Sequence, residues 1–503
     1  MVVWPVRRIM APVSHGRARE ATSVRHGAMG RWRWRDGETD AVVFTAQAFT
    51  ADADAGREVQ WGMSLADVRR RLPVVATLPT PESRWTTTEA RARATAPRWA
   101  IWELTLACDQ KCVHCGPRAG HRRPDELTTA ECLAVVRELR EMGAVEVVLI
   151  GGEAYLRSDF ILIIRAIREA GMACTMTTGG YNLTRERAAA MVEAGIGSVN
   201  LSIDGLEATH DRLRGVPDSW RRAFAAMQHV RDAGGKVACN TQINALTYPE
   251  LPALLELLAD AGVHSWQVQI TVPHGNAADH PEIILQPYMF LELFTLLETV
   301  IDRCQARGVR LWPGNNLGYF GPLEKRLRAA QNKHWRGCTA GVSIVGIESN
   351  GGIKNCPSLG GENNVGGNWR LHGLKKLWEE TYQLGYIRER TVDDLWGYCR
   401  TCYYAEPCMA GCTAAAEPLL GRPGNNPFCH HRAQMMDRQG LRERIEQVRP
   451  AAGGGFDNGL FRVIREYADP ALRAQHGPVG SDEPRTSRAI DPHGPGRPVE
   501  LDE

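Results

Sequence analysis

The sequence predicts an α/β fold: six βα units forming an open, partial barrel, followed by a small cysteine-rich α+β domain. Three observations carry this. Short β-rich runs alternate with amphipathic segments of helical length between residues 98 and 312. A run of βα units implies a parallel sheet covered by helices. Three cysteines cluster just after the first of those strands, and seven more gather between residues 338 and 429.

Length and composition bound the possibilities. The chain has 503 residues, enough for more than one domain. Its apolar content of 43% and charged content of 23% are ordinary for a globular protein. A formal charge of +2 offers no global field to recruit nucleic acid or a membrane surface, so neither is expected as a partner. No uninterrupted apolar run approaches the ~18 residues of a bilayer span, and the start lacks an export-type apolar region. A cytoplasmic location follows as the expectation. There thiols stay reduced, so fourteen cysteines point to metal rather than to disulfides.

Four segments follow along the chain. Residues 1–97 hold a basic arm, with eight arginines in the first 36 positions, and a small module with a strand at 41–49 and a helix at 64–72. Residues 98–312 are the barrel. Its strands are predicted at 101–106, 145–150, 173–178, 198–203, 236–243 and 265–270, with helices at 128–143, 219–234 and 286–307 among those filling and following the gaps. Residues 313–432 form the cysteine-rich domain, with one clear helix at 374–384; it has little periodic apolar sequence and needs its cysteines as a staple. Residues 433–503 give a helix at about 433–447 and, after Pro470, a Pro/Gly/charge-rich tail expected to be disordered.

The chemistry is sharpest in "ACDQKCVHCGPRAG", residues 107–120, where Cys108, Cys112 and Cys115 occupy the loop after the first strand. In βα folds the chemistry collects at the carboxyl ends of strands. Soft thiolates select zinc, copper(I) or iron–sulfur clusters. A closed zinc site needs a fourth ligand, for which only Cys132 and His114 are near in sequence. A cubane cluster has four iron corners, so three thiols leave one corner open for a substrate or cofactor.

C-x3-C-x2-C resembles the radical S-adenosylmethionine (SAM) signature. The resemblance implies a partial (βα)6 TIM-like barrel holding a [4Fe–4S] cluster whose open iron binds the amino and carboxylate groups of SAM. Reductive cleavage then yields methionine and a 5′-deoxyadenosyl radical, which takes a hydrogen atom from the substrate. His114 matches the position of an adenine-flanking aromatic ring. "LIGGEAYLR" places Gly151, Gly152 and Glu153 after the second strand, where the superfamily receives the SAM amino group; Ala154 replaces the usual proline. Ser202, in "LSIDG", and Arg214, twelve residues on, match a serine and an arginine that contact SAM.

"CRTCYYAEPCMAGC" supplies Cys399, Cys402, Cys408 and Cys412, with Cys338 and Cys356 upstream and Cys429 downstream. This order resembles the SPASM domain, the auxiliary-cluster module of radical SAM enzymes that modify peptides. The resemblance implies an interleaved pairing: Cys399, Cys402, Cys408 and Cys429 on one auxiliary cluster, Cys338, Cys356 and Cys412 on another. The second set lacks a fourth thiol, leaving an open iron, a non-thiol ligand or fewer irons. One or two zinc sites would account for the same residues structurally.

Other cysteines, Cys132, Cys174, Cys239 and Cys304, fall in helix or strand patterns and are expected in the core. His430 and His431 are expected as an exposed pair beside a turn, Tyr403 and Tyr404 as packing beside the cysteines, and the two "PGNN" stretches, 313–316 and 423–426, as turns.

The implied function is a radical SAM/SPASM maturase acting on a precursor peptide or protein by crosslinking, epimerisation or oxidation, with a flavodoxin- or ferredoxin-type electron donor. Two alternatives stay open: a radical SAM enzyme acting on a small molecule such as a tetrapyrrole or cofactor precursor, and a non-catalytic zinc- or cluster-binding protein.

Overall fold

The computed structural model describes residues 23–26, 29–33, 43–46 and 96–484, apart from 332, 333, 336, 362 and 363. In the N-terminal unit, β1 (Ser23–His26), β2 (Met29–Arg33) and β3 (Val43–Ala46) form an antiparallel sheet in that order. The third lies within the predicted strand at 41–49; the predicted helix at 64–72 falls outside the described residues.

From residue 96 the described chain belongs to one compact unit. All six predicted barrel strands form, as β4 (Trp99–Glu103), β5 (Glu146–Ile150), β6 (Ala173–Thr178), β7 (Ser198–Ser202), β8 (Val237–Ile243) and β9 (Ser265–Ile270), each parallel to the next. A seventh parallel strand, β10 (Arg310–Pro313), extends the edge beside β9. Side chains alternate: Val147 and Leu149 of β5, or Cys174 and Met176 of β6, point to the helices and are buried, while their neighbours face the barrel interior.

Helices α1 (Thr129–Glu141), α2 (Phe160–Glu169), α3 (Arg185–Glu193), α4 (Glu207–Arg214), α5 (Ser219–Asp232), α6 (Leu251–Asp260) and α7 (Phe290–Arg307) cover the sheet. The start of α1 is set by a capping box in which Thr128 and Glu131 exchange bonds. The apolar stretch Pro281–Arg307, which contains α7, has the length and composition of a bilayer span, and half of its most apolar 18-residue window is buried within the fold.

The cysteine-rich segment continues the barrel sheet. Strand β11 (Ile344–Ile347) lies parallel to β4 on the edge opposite β10, and β12 (Gly352–Lys354) and β13 (Val365–Asn368) follow antiparallel. The predicted helix at 374–384 is two helices, Trp369–Glu380, kinked at Gly373, and Tyr382–Glu389, which meet at Thr381. Helix Thr413–Leu420 is buried along its whole length.

Beyond residue 432 the structure corrects the sequence. The expected helix at 433–447 is a short helix, His430–Asp437, ended at Gly440 in the left-handed region, then strand β14 (Leu441–Arg449). It pairs with β15 (Leu460–Tyr467), and β15 pairs with β16 (Pro478–Asp482), a separate antiparallel sheet. The segment after Pro470, expected to be disordered, is ordered to residue 484. Helix Pro470–His476 opens there under an Asp469 cap.

Candidate active site

The loop after β4 is folded back on itself and tied on three sides. Cys108 N–H donates to Gly120 O (3.1 Å) and Gly120 N–H to Leu106 O (2.9 Å), which closes it. Lys111 and Val113 donate to Arg214 O and Leu213 O at the end of α4. Asn276, beyond β9, donates from its side chain to Cys112 O (2.8 Å) and from its backbone to Cys115 O (3.0 Å). On the β5 side, Gly152 N–H donates to Thr105 O and Glu153 N–H to Ala107 O. A Cβ at Gly151 or Gly152 would lie 2.2 Å from Thr105 O or Ala107 O, so only glycine permits this approach.

Cys108, Cys112 and Cys115 are all half-buried and line one cavity of about 870 Å³. Gln110 N–H points at the Cys108 sulfur (3.5 Å) and Ala119 N–H at that of Cys115 (3.3 Å). Burial pushes the Cys112 thiol up to about 12 and those of Cys108 and Cys115 upward as well. Such thiols ionise when a metal takes the proton's place. Cys132, the near candidate for a fourth ligand, faces the core with its sulfur toward Leu127 O, and Cys174, Cys239 and Cys304 are buried as expected.

His114 and Arg214 converge on one carboxylate. Its Nε2 lies 3.1 Å from Asp204 Oδ2, and Arg214 Nη2 approaches the same oxygen at 2.6 Å, close but poorly aligned for a hydrogen bond. Arg214 Nη1 is 3.7 Å from the Cys112 sulfur. Arg214, expected to contact SAM, therefore already has a buried ionic partner; its Nε, His114 Nδ1 and Asp204 Oδ2 are buried without a hydrogen-bond partner. Burial opposes ionisation of Asp204, but Arg214 and His114 outweigh it and hold the carboxyl far below the usual range. Asp204 Oδ1 accepts from Gln242 N–H, and Asp204 N–H donates to His210 Nδ1. Burial and Arg214 push His210 down to about 3.

Glu153 turns inward, accepting from Gly179 N–H (2.7 Å) and from the Thr178 hydroxyl. Burial raises it to about 8 despite those bonds. Ser202 lines the same cavity.

The structure adds residues that the sequence argument passed over. Asp109 Oδ2 accepts from Tyr155 O–H and Asn182, while its buried Oδ1 has no partner; Asp109, Glu153 and Cys108 have donor atoms within 4.8 Å of one another. Gln110 bonds Ser219 (2.6 Å) and fills the space beside Gly179. His274 packs its ring on Gly116, is buried and held down to about 4 by burial, and its Nδ1 has no partner. Asp109, adjacent to Cys108, was legible; His274 was not, because only the fold brings it to Gly116.

The seven remaining cysteines fall in two neighbourhoods. The Cys412 thiol feels those of Cys338 and Cys356, and these three line the same cavity as the first loop. The Cys408 thiol feels Cys429, Cys399 and Cys402. Backbone N–H groups of Asn426, Tyr404 and Arg432 point at the sulfurs of Cys399, Cys402 and Cys429. Tyr319 stands between the groups, its hydroxyl accepting from Cys412 N–H and its carbonyl facing Cys429. The first PGNN stretch lines the cavity; in the second, Asn425 bonds Arg432 and Asn426 caps Cys399. Tyr404 stacks on Phe320, and Tyr403 is exposed. His430, expected at the surface, is instead buried and stacked on Phe294 at 4.0 Å, because α7 supplies an aromatic face there.

Comparison with known proteins agrees with this geometry. Residues 102–258 match the Radical SAM superfamily model. An AdoMet-dependent heme synthase from Methanosarcina barkeri is 28% identical over 354 residues, covering 68% of this chain and 98% of that protein. Mycofactocin maturase MftC from Mycolicibacterium smegmatis is 28% identical over 346 residues, covering 66% and 83%. Among solved structures, Streptococcus suis SuiB bound to precursor peptide SuiA superposes with a TM-score of 0.51 at 18% identity, covering 69% of this chain and 82% of that one, and SuiB has also been solved with S-adenosylmethionine. A domain of this family works with a [4Fe–4S] cluster and SAM, and three soft thiols opening onto one cavity are a donor set that fits them. Residues 102–258 of this chain therefore carry a radical SAM domain.

Proposed function

We propose that this enzyme is a radical SAM/SPASM maturase acting on a peptide. The observation that carries the reading is the cavity wall. One cavity runs from Cys108, Cys112 and Cys115 to Cys338, Cys356 and Cys412. Between them the barrel presents amides and hydroxyls, among them Asn200, Asn240, Gln242, Gln267 and Gln269. Among the described lining residues there is no lysine, and the one arginine, Arg214, is neutralised by Asp204. Amides match peptide groups, donor for acceptor. The carboxylate side chains of a tetrapyrrole would be left there without a cation.

In this reading Cys108, Cys112 and Cys115 hold the [4Fe–4S] cluster. What the bound cofactors supply is one-electron reductive cleavage of SAM, and with it the power to take a hydrogen atom from an unactivated C–H bond. The chain's own residues position the partners. Gly151 and Gly152, packed on the loop backbone, together with Glu153, Ser202, Arg214 and His114, line the cavity and would hold SAM there. Cys338, Cys356 and Cys412 hold one auxiliary cluster, and Cys399, Cys402, Cys408 and Cys429 the other. A flavodoxin- or ferredoxin-type protein delivers the electron. MftC and SuiB, a maturase and a protein solved with its precursor peptide, support the peptide reading.

The heme-synthase relatives favour a second reading, a tetrapyrrole substrate, since one is matched along 98% of its length. Incubating the anaerobically reconstituted, reduced enzyme with SAM and either peptides encoded beside its gene or a porphyrinoid separates them. A mass change in a peptide, with 5′-deoxyadenosine released, is expected; turnover of the porphyrinoid alone overturns the peptide reading.

A further inference from the structure

The loop between β14 and β15, Ala451–Gly459, leaves the C-terminal sheet and reaches the mouth of the barrel. There it meets three separate parts of the chain. Phe456 N–H donates to Gly116 O (2.7 Å), one residue after Cys115. Asp457 O accepts from Gly275 N–H (2.9 Å) in the loop after β9. The Phe456 ring stacks on His274, with centroids 5.8 Å apart, and lies 3.9 Å from Lys354 Nζ, two residues before Cys356.

Arg118, three residues after Cys115, is the hub. Its guanidinium donates to Gly454 O (3.0 Å), Asp457 Oδ1 (3.1 Å), Gly275 O (3.0 Å), Asn276 Oδ1 (2.8 Å) and Asp279 Oδ2 (2.5 Å). Asp457 in turn shapes the tip, its Oδ2 accepting from Gly453 and Gly454 N–H. Arg118 and Phe456 both have left-handed backbones, φ 53° and 57°. Non-glycine residues hold that conformation where surrounding contacts over-determine it. Two such residues on opposite sides of one contact mark a fitted joint.

We propose that this hairpin is a clasp on the three-thiol loop, with Arg118 and Asp457 as its positioning pair and Phe456 as the wedge between that loop and the strand leading to Cys356. The three thiols lie on a surface loop, and such a loop orders a ligand only if something outside it removes its freedom. Asn276 fixes the middle of the loop, at Cys112 and Cys115. The clasp fixes its exit. Because Lys354 also bonds Glu348 and both are buried, the wedge bears on a rigid part of the cysteine-rich segment. The C-terminal sheet is thus part of the SAM site although none of its residues lines the cavity. The inference rests on the reading of this loop as the cluster site, and hydrogen exchange probes the clasp separately from that reading.

The test uses the full-length reconstituted protein with Asp457→Ala, Arg118→Ala and the double variant. Hydrogen exchange is read at peptides covering 112–120 and 399–429, and SAM is titrated against the low-temperature EPR signal of the reduced protein. Asp457→Ala is expected to speed exchange at 112–120 about tenfold and to raise the half-saturating SAM concentration by a similar factor, with exchange at 399–429 unchanged. Arg118→Ala should do at least as much, and the double variant no more than Arg118→Ala. Phe456→Gly, which suits the left-handed backbone, should loosen 112–120 without unfolding the sheet. Exchange at 112–120 that stays at the wild-type rate in Asp457→Ala and Phe456→Gly overturns the proposal, as does full additivity in the double variant.

Discussion

Arg214 lies 2.6 Å from Asp204 Oδ2 and 3.7 Å from the Cys112 sulfur, so one buried arginine is shared between a carboxylate at the end of β7 and a thiol of the first loop. The link joins the packing of the barrel to the chemistry at its mouth. Removing Asp204 leaves the guanidinium buried without a counter-charge. Asp204→Ala is expected to lose about 3 kcal/mol of stability. Arg214→Ala in the same background should cost much less than alone, since the stranded charge goes with it. Denaturant midpoints of the two single variants and the double variant measure this; additive losses would mean the pair is not coupled.

The two groups of cysteines predict a division of labour. Cys112→Ala should abolish 5′-deoxyadenosine formation, because one of the three thiols that open on the cavity beside Arg214 is gone. Cys408→Ala disrupts the four-thiol group, which the cavity does not reach. It should leave SAM cleavage detectable while modified product is lost. Chromatographic assay of 5′-deoxyadenosine beside mass spectrometry of the substrate checks both. Normal product from Cys408→Ala would show that the four-thiol group is dispensable.

A pH dependence follows from the contact between α1 and the cysteine-rich segment. Arg370 binds Glu131 through both carboxylate oxygens, and that bond, with the Thr128 cap, lowers the Glu131 carboxyl from 4.5 to about 2. A carboxyl depressed on folding contributes stability above its unfolded pKa and loses it as the pH falls through the folded value. The contribution is therefore complete above about pH 5 and gone below about pH 2. Both side chains are partly exposed, so solvent screening limits it to about 1 kcal/mol. Arg370→Ala should be less stable than wild type at neutral pH by about that amount, with the two acid-unfolding curves converging near pH 2. A difference that grows on acidification would contradict this.

What the sequence could say depended on whether the partner of each residue was local. The barrel strands were legible because Val147, Leu149, Cys174 and Met176 repeat with period two against helices of their own βα units. The three-thiol loop was legible because its ligand types are contiguous. By contrast, "LRERIEQVR" is made of good helix formers, and nothing within it calls for a strand. It is a strand because β15, across a ten-residue glycine-rich connection, pairs with it, and because Glu443 turns inward to Arg432 and Arg465. One local cue was available in Gly440, a left-handed stop just after Arg438. Another was Asp469-Pro470, a cap followed by proline at the first helical position. His274 and the clasp had no local cue, since their meaning arises only where distant segments meet.

The same C-terminal sheet braces the four-thiol group, which gives the last prediction. Arg432, three residues after Cys429, is buried and pairs with Glu443 (2.6 Å) on β14 and Asp482 (3.0 Å) on β16. Its Nη1 also donates to Asn425 Oδ1 (2.7 Å), and the neighbouring Asn426 N–H points at Cys399. Glu443 keeps a second partner in Arg465, so Arg432→Met leaves mainly Asp482 to find solvent at the sheet edge. A loss of about 3 kcal/mol is expected, near the lower end for a broken buried pair. Ending the chain after residue 477 removes Asp482 but leaves Arg432 paired with Glu443, and should cost less, about 1 kcal/mol. With a cluster on the four thiols, as proposed, both variants should broaden its EPR signal while leaving the SAM-dependent signal in place. If the truncated chain instead loses as much stability as Arg432→Met, β16 holds the sheet by its backbone pairing with β15 and not through this arginine.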